Sequence, residues 1–467
     1  MRSKFALALI AALAASQAHA GVELIAIGSL DAHQGDRAVR TAGPLENGVP
    51  GNLLGGLGSG LAYAGCNTFL ALPDRGPNAV SYDAAVDDTT SYIPRFHTLR
   101  MALRPAGPDA ALPFALTPTL ERTTLLWDAY GLYYGDGRAA NLPDGAPRAN
   151  HGFRHYFTGR SDNADPARGS GWMLDARLDP EGIRASADGD AVYVSDEYGP
   201  YVYKFDRHTG RRLDSYALPA HFYVAKTSPH GADEIAGNSA GRVANKGMEG
   251  LAISPDGRTL FGAMQAPLLQ DGGDGAPVLR IVRIDLRTRE VREYAYPLSN
   301  TGTASKPKYN GVSEILAVND HQLLVDERDG KGFVDGSEAK FKRVFLIDLD
   351  GATEVSKLSG ATALAAAAVN KTPFLDVLAE LGRHGLAPSE VPAKLEGLSL
   401  GPDVVQDGRR RHTLFLANDN DFLPDITDSL HPQGADNPNR FFVFAFDDAD
   451  LPGLKPQRFE HPRCEGK

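Results

Sequence analysis

One short pattern recurs along this 467-residue chain, and any fold it adopts has to repeat with it. Asp179-Pro180-Glu181-Gly182-Ile183 opens a β-rich run, Ala187-Asp188-Gly189-Asp190 supplies turn residues, and Ser195-Asp196-Glu197-Tyr198-Gly199 ends the second run. An Asp-Gly pair between two β-rich segments reads as a hairpin. A hairpin brings its outer ends together, so Glu181 is expected beside Asp196 and Glu197.

The unit returns as Gly247-Met248-Glu249-Gly250-Leu251 with Thr259 to Gln265, as Gly311-Val312-Ser313-Glu314-Ile315 with Leu323 to Arg328, and as Leu395-Glu396-Gly397-Leu398 with Thr413 to Asn420. An earlier copy without the glutamate, Gly58-Ser59-Gly60-Leu61, leads to Leu72-Pro73-Asp74-Arg75-Gly76. Alternating apolar runs ending in Asp follow, as at Tyr201 to Asp206, and often a fourth run, as at Arg212 to Ala217. Glu181, Glu249, Glu314 and Glu396 lie 68, 65 and 82 residues apart. Four-stranded units repeated at this scale predict an all-β fold, a β-propeller of four-stranded antiparallel blades, because radial closure removes long exposed sheet edges. A pair of β-sandwiches would explain the strands but not the recurring entry glutamate.

Five repeats are visible, and five or six blades are compatible with the rest. Residues 123–178, rich in Tyr, Gly, Arg and His, break the period as a long loop or a sixth, diverged blade. A second insertion, at about 361–390, reads as helical: an Ala-rich run, then Phe374, Leu375, Leu378 and Leu381 at helical spacing, with Gly385 as the stop. Val22 to Ile27 has no blade of its own and is expected to complete the last blade as its outer strand.

The basic pair Arg2 and Lys4, the apolar run Phe5 to Ala15 and the small-residue site Ala18-His19-Ala20 predict a signal peptide over residues 1–20, leaving a single propeller domain over 21–467. The product is expected to be periplasmic or secreted. No other run reaches the ~18 apolar residues a membrane span needs. Loss of Arg2 and Lys4 takes the formal charge from −11 to −13, which argues against nucleic acid or an anionic membrane as partner. A monomer acting on a small anionic substrate is expected. Cys66 and Cys464, near opposite ends of the chain, are expected to pair in an oxidising compartment, the alternative being two free thiols.

In a propeller the first strand of each blade lines the channel, so the repeats should gather their acids on one rim. Crowded carboxylates require protons, arginine partners or a hard cation. Calcium suits them, since it accepts six to eight oxygens without strict geometry, whereas no His or Cys pair has the spacing for zinc or copper. The candidate metal ligands are Asp74, Glu181, Asp196, Glu249, Glu314, Asp326, Glu396 and Asp419, with the amides Gln265 and Asn418 on the same rim. The candidate catalytic carboxylates are Glu181, Glu249, Glu197 and Glu327. Arg75 and Arg328, each beside an acid, are candidate forks for an anionic substrate. The chemistry expected is metal-assisted hydrolysis of an anionic ester, with phosphoesters ahead of lactones. The bland alternatives are that each glutamate caps its neighbouring loop, and that calcium serves structure in a non-catalytic binding propeller. His221 and His230, flanking the loop before Glu249, read as acid/base groups or as solvated loop histidines.

These residues carry a resemblance. Leu72-Pro73-Asp74-Arg75-Gly76-Pro77-Asn78, Asp179-Pro180-Glu181-Gly182-Ile183, Ser195-Asp196-Glu197-Tyr198-Gly199-Pro200, Asn245-Lys246-Gly247-Met248-Glu249-Gly250-Leu251 and Leu395-Glu396-Gly397-Leu398 resemble the bacterial family named for the esterase-like activity of phytase, over roughly Leu53 to Phe446. The resemblance implies an exported propeller with phosphoester hydrolase activity. The chain is also similar in plan to calcium-centred propellers such as lactonases and organophosphate hydrolases. It departs from a symmetric pattern at Ser313-Glu314, where no glycine follows, and in the first copy, which has no glutamate.

Overall fold

The repeats fold as five antiparallel sheets around one axis in the computed structural model, which describes residues 21–77, 86–135 and 146–460. From the axis outward, blade one is Gly60–Tyr63, Thr68–Leu72, Arg95–Pro105 and Phe114–Leu125. Blade two is Pro180–Ala185, Ala191–Asp196, Tyr201–Asp206 and Arg212–Ala217. Blade three is Met248–Ile253, Thr259–Met264, Val278–Asp285 and Val291–Pro297. Blade four is Gly311–Ala317, Gln322–Arg328, Lys342–Asp348 and Lys371–Asp376. Blade five is Leu395–Leu400, Arg409–Asn418 and Asn439–Phe446, closed on the outside by Glu23–Leu30. The N-terminal strand thus completes the last blade in antiparallel register with Asn439–Phe446, as its lack of a blade predicts.

Five blades account for the sheets. The described part of the 123–178 insertion contributes only the two-residue pair Trp127–Asp128 and His155–Tyr156 beyond the end of blade one, so it is a loop and not a sixth blade. The 361–390 insertion is also not one helix. Ala361–Ala366 and Val377–Arg383 are helical, but Lys371–Asp376 between them pairs with Lys342–Asp348 as the outer strand of blade four. Pro373 is tolerated there because an outermost strand has no further neighbour to which it must donate. The expected leader, residues 1–20, lies outside the described residues, among which no helix is long and apolar enough to cross a membrane.

Alternation along each inner strand sends successive apolar side chains into opposite seams. Leu61 packs with Phe415 and Val443 between blades five and one, while Ala62 packs with Ile183 and Val192 between blades one and two. Leu251 and Ala252 divide in the same way between the seams of blade three with blades two and four, and Leu316 and Leu398 share the seam of blades four and five. Each fully buried Leu, Ile or Phe is worth about 1.5–3 kcal/mol.

The glycine after each entry glutamate is set by the crowding of the inner strands. A Cβ on Gly182 would stand 2.5 Å from Cβ of Leu251, and one on Gly397 2.9 Å from Cβ of Leu61. Blade four breaks this layer. Its bulge falls between Val312 and Glu314, as the bulges of blades three and five fall just before Gly250 and Gly397. Glu314 therefore occupies a glycine position inside the channel and Ser313 takes the rim, which corrects the expectation that Glu314 is the fourth rim carboxylate. There Glu314 meets Arg184 at 3.0 Å, having accepted the Leu251 and Ile315 N–H groups on its other oxygen. Arg184, reaching up from blade two, also donates to the carbonyls of Leu61, Ile183, Ile315 and Leu398. One guanidinium thereby ties four blades across the axis.

Below this plug the C-terminal segment crosses the far end of the channel, where Gln457 Nε2 donates to the Ala185 carbonyl and Phe459 packs edge-on to Tyr63. Tyr63 in turn bonds the carbonyl of Cys66 in the blade-one hairpin turn. Cys464, the other half of the expected pair, lies outside the described residues.

Removing one member of a buried ion pair costs about 3–5 kcal/mol, because the other is left charged and unpaired. Arg184→Leu is expected to lower stability by that amount in denaturant unfolding. Arg184→Leu combined with Glu314→Gly, which restores the glycine layer, should recover most of the loss.

Candidate functional site

The rim opposite the C-terminal segment is where the strand entries and exits meet. Glu181, Glu249 and Glu396 enter from blades two, three and five. Asp74, Glu197, Gln265, Arg328 and Asp419 arrive from the ends of the second strands. All the carboxylates among them are buried, with Glu181 8% and Asp74 8% exposed.

Two of these acids, Glu181 and Glu197, converge with Asp179 from the loop just before blade two. Asp179, Glu181 and Glu197 each offer one oxygen, and the three oxygens lie within 4.8 Å of one another. They differ in their partners. Asp179 accepts the Arg75 backbone N–H at 3.2 Å and the Arg75 Nη1 at 2.7 Å. Glu197 accepts the Gly247 N–H at 2.7 Å. Among the described residues the Glu181 carboxylate has no hydrogen bond and no ion pair. Burial, then the charges of Glu249 and Asp179, hold its pKa well above the usual carboxylate range. Burial and Asp179 push Glu197 up to about 8 against the pull of Arg75 and Arg242. Burial, Glu197 and Glu396 likewise raise Glu249 well above the ordinary value, although Gln265 Nε2 donates to one of its oxygens at 2.7 Å.

The opposite half of the rim is neutralised by the chain itself. Lys394 Nζ lies 2.9 Å from Asp419 Oδ2 and also bonds Asp421, while Arg328 pairs with Glu396 and donates to Ser313 Oγ at 2.8 Å. Asp74, between the two halves, accepts the Gly76 N–H, and burial with Asp419 raises its pKa well above normal. Arg75 bonds Asn245 as well as Asp179, and Asp179 drives its pKa up despite burial.

Of the residues expected here, Glu181, Glu249, Glu197, Glu396, Asp74, Asp419, Arg75 and Arg328 are brought together. Four are not. Asp196 is a loop cap, accepting the N–H groups of Asp179, Tyr198 and Gly199. Glu327 faces the blade-three seam and is held by Tyr296, Ser299 and Lys371, because alternation puts it on the opposite face of the strand from Arg328 and Asp326. Asp326 lies below the rim opposite Glu314, and burial pushes it to about 8. Glu314 is the plug partner of Arg184. Asn418 accepts the Arg440 N–H, and His221 bonds Glu293 on the outer strand of blade three. His230 lies 3.6 Å from Asp87.

The candidates missing from the sequence reading, Asp179, Asn245, Lys394 and Asp421, sit in the loops that lead into or out of the paired strands. Asp179 and Lys394 precede Glu181 and Glu396 by two residues each, a position that extending the hairpin-end argument by one turn would have reached.

A cavity of about 250 Å³ opens beside the carboxylates between blades three and four, lined by Gln265, Lys308, Asn310, Ser313 and Arg328.

The family model of the phytase-like group, described as "Esterase-like activity of phytase", matches residues 52–422. An uncharacterized secreted protein of Arthroderma benhamiae is 40% identical over 109 residues, a match covering 21% of this chain and 21% of that protein. Among solved structures, the periplasmic gluconolactonase of Pseudomonas aeruginosa is similar at 10% identity, covering 91% of this chain and all of that one, with a TM-score of 0.33. A 6-phosphogluconolactonase candidate of Bacteroides uniformis is similar at 12% identity over 80% of this chain and 85% of that one, with a TM-score of 0.28.

The raised carboxylates give the metal-free protein a pH signature. Glu197 holds its proton up to about pH 8 when folded and releases it near 4.5 when unfolded, so between those values the folded state binds more protons and stability falls as pH rises. Thermal melts of metal-free protein should show Tm dropping by several degrees across that window. Millimolar calcium should flatten the drop; a Tm that rises with pH in the metal-free protein would contradict the buried charge balance.

Proposed function

The chain belongs to the phytase-like family, and from that membership and the chemistry of the rim we propose a metal-assisted hydrolase of anionic esters, phosphoesters first. The observation that carries the reading is Glu181: a buried carboxylate with no partner among the described residues, one of its oxygens within 4.8 Å of Asp179 and Glu197 oxygens. A buried carboxylate without donors is costly unless a proton or cation completes it. Oxygen-only donors of this kind suit calcium, with Asp179, Glu181 and Glu197 holding it. The bound cation would supply a Lewis acid that polarises the ester.

The surrounding residues divide the remaining work. Arg328 spends Nε on Ser313 and Nη2 on Glu396, leaving Nη1 to meet an anionic oxygen of the substrate, for which a guanidinium is well shaped. Arg75 stays charged beside Asp179 and limits the repulsion among the three converging acids. Glu249, oriented by Gln265 and kept protonated by burial and its acidic neighbours, is the group placed to give a proton to the leaving oxygen. Glu327, committed to Tyr296 and Lys371, takes no part.

Export is part of the proposal, supported by the Arg2, Lys4 and Ala18-His19-Ala20 pattern and by the fungal relative described as secreted. The second reading, a binding propeller with a structural ion, is favoured by the bond from Gly247 N–H to Glu197, which uses that carboxylate as a loop cap.

Metal analysis and a panel of phosphomonoesters, phosphodiesters and lactones separate the two. Glu181→Gln is expected to lose both bound calcium and activity with the fold kept. Glu249→Gln is expected to keep calcium while kcat falls about 10²–10⁴-fold. A calcium-loaded protein that leaves the whole panel intact is a binding propeller and not a hydrolase.

A further inference from the structure

The cavity beside the carboxylates is built for charge rather than for apolar surface. Its walls carry three charged groups besides Lys308 and Arg328, and each is balanced: Lys246 lies 2.8 Å from Asp274, and Asp329 lies 2.9 Å from Lys342, which stands outside the cavity. The Lys308 ammonium has no hydrogen-bond or ion-pair partner among the described residues, and Arg328 keeps Nη1 unpaired. Asn310 adds an amide whose one donor contact, to Thr301, is long at 3.5 Å. Two cations and an amide with spare donors therefore face one space of about 250 Å³.

That space is joined to the reacting centre through two side chains. Gln265 lines it and donates to Glu249, and Arg328 lines it and pairs with Glu396. It is smaller than the roughly 300–1,000 Å³ of a pocket that holds a whole drug-sized ligand, so it suits a fragment of a substrate whose reacting bond lies at the rim.

We propose that this cavity is a subsite for a second, non-reacting anionic group of the substrate, a phosphate or a carboxylate, and that Lys308 is the residue that selects for it. The proposal rests on the reading of the rim as an anionic-ester hydrolase. Lys308 contributes charge without belonging to the fold: it is exposed, on the loop before blade four, and its side chain holds nothing else in place. A substrate with one anionic group uses the rim and the free arm of Arg328, whereas one with two also gains the Lys308 ammonium and the Asn310 amide.

The test compares Lys308→Ala with the native protein, both calcium-loaded, on phenyl phosphate, a sugar bisphosphate and phosphoglycerate. Lys308→Ala is expected to raise KM about tenfold for the bisphosphate, a loss of about 1.4 kcal/mol, with kcat within twofold and phenyl phosphate unaffected. A matching rise for phosphoglycerate identifies a subsite that takes either anion, and no rise there restricts it to phosphate. Equal effects on phenyl phosphate and the bisphosphate, or none on either, overturn the subsite. If no ester is cleaved the hydrolase reading fails on its own, and calorimetric titration with the bisphosphate still decides: tenfold weaker binding to Lys308→Ala supports the subsite and unchanged binding removes it.

Discussion

Five inner strands crowd round one axis closely enough that four of them can carry only glycine at the layer below the rim. Where glycine holds that layer, the residue just before it is the last that can project into the mouth, and in three of those four blades that residue is a glutamate. The approach of the strands thus determines where the acids go, and their buried position determines how they titrate. Desolvation and mutual repulsion lift Glu181, Glu249 and Asp74 well above ordinary carboxylates. The stability of the ring and the chemistry of its mouth are two consequences of one packing constraint.

The rim answers that constraint differently on its two sides. On the side of blades four and five, Lys394 and Arg328 bring the countercharge within the chain. On the side of blade two, Asp179, Glu181 and Glu197 have Arg75, which Asp179 already engages, and Arg242, which Glu234 already holds, and Glu181 is left without a partner among the described residues. The asymmetry matters more than the number of acids, because it leaves one place where a hard cation replaces a missing donor. Lower in the channel the same logic is closed internally: Glu314 takes a glycine position and Arg184 neutralises it, so the axis is plugged and the mouth has access from one end.

Much of this was legible from the repeat. Glu-Gly spacing, the turns between paired strands and the orphan N-terminal strand lead to the blades and to their closure, because a propeller repeats its register. The failures occur where the repeat is locally broken. Blade four lacks the glycine that anchors the alignment, so Ser313 and Glu314 could be matched either way, and only the position of a β-bulge decides between them. Lys371–Asp376 sits among residues with helical spacing, yet blade four needed an outer strand and tertiary pairing overrode the local pattern. Glu327 has the right neighbours in sequence but the wrong face of the strand. Asp179 and Lys394 share a place in the repeat, two residues before the entry glutamate, but differ in charge and lie in loops, so no recurring residue type marks them.

The central claim is that the acids of the mouth are either protonated or bound to a cation, never free. Proton release on calcium binding tests it most directly, by titrating metal-free protein with calcium near neutral pH in buffers of different ionisation enthalpy. Since Glu197 titrates at about 8 and Glu181 well above the usual range, binding should expel at least about one proton per calcium. Calcium that binds with no proton released would show that these carboxylates are already ionised in the empty site, and would contradict the claim.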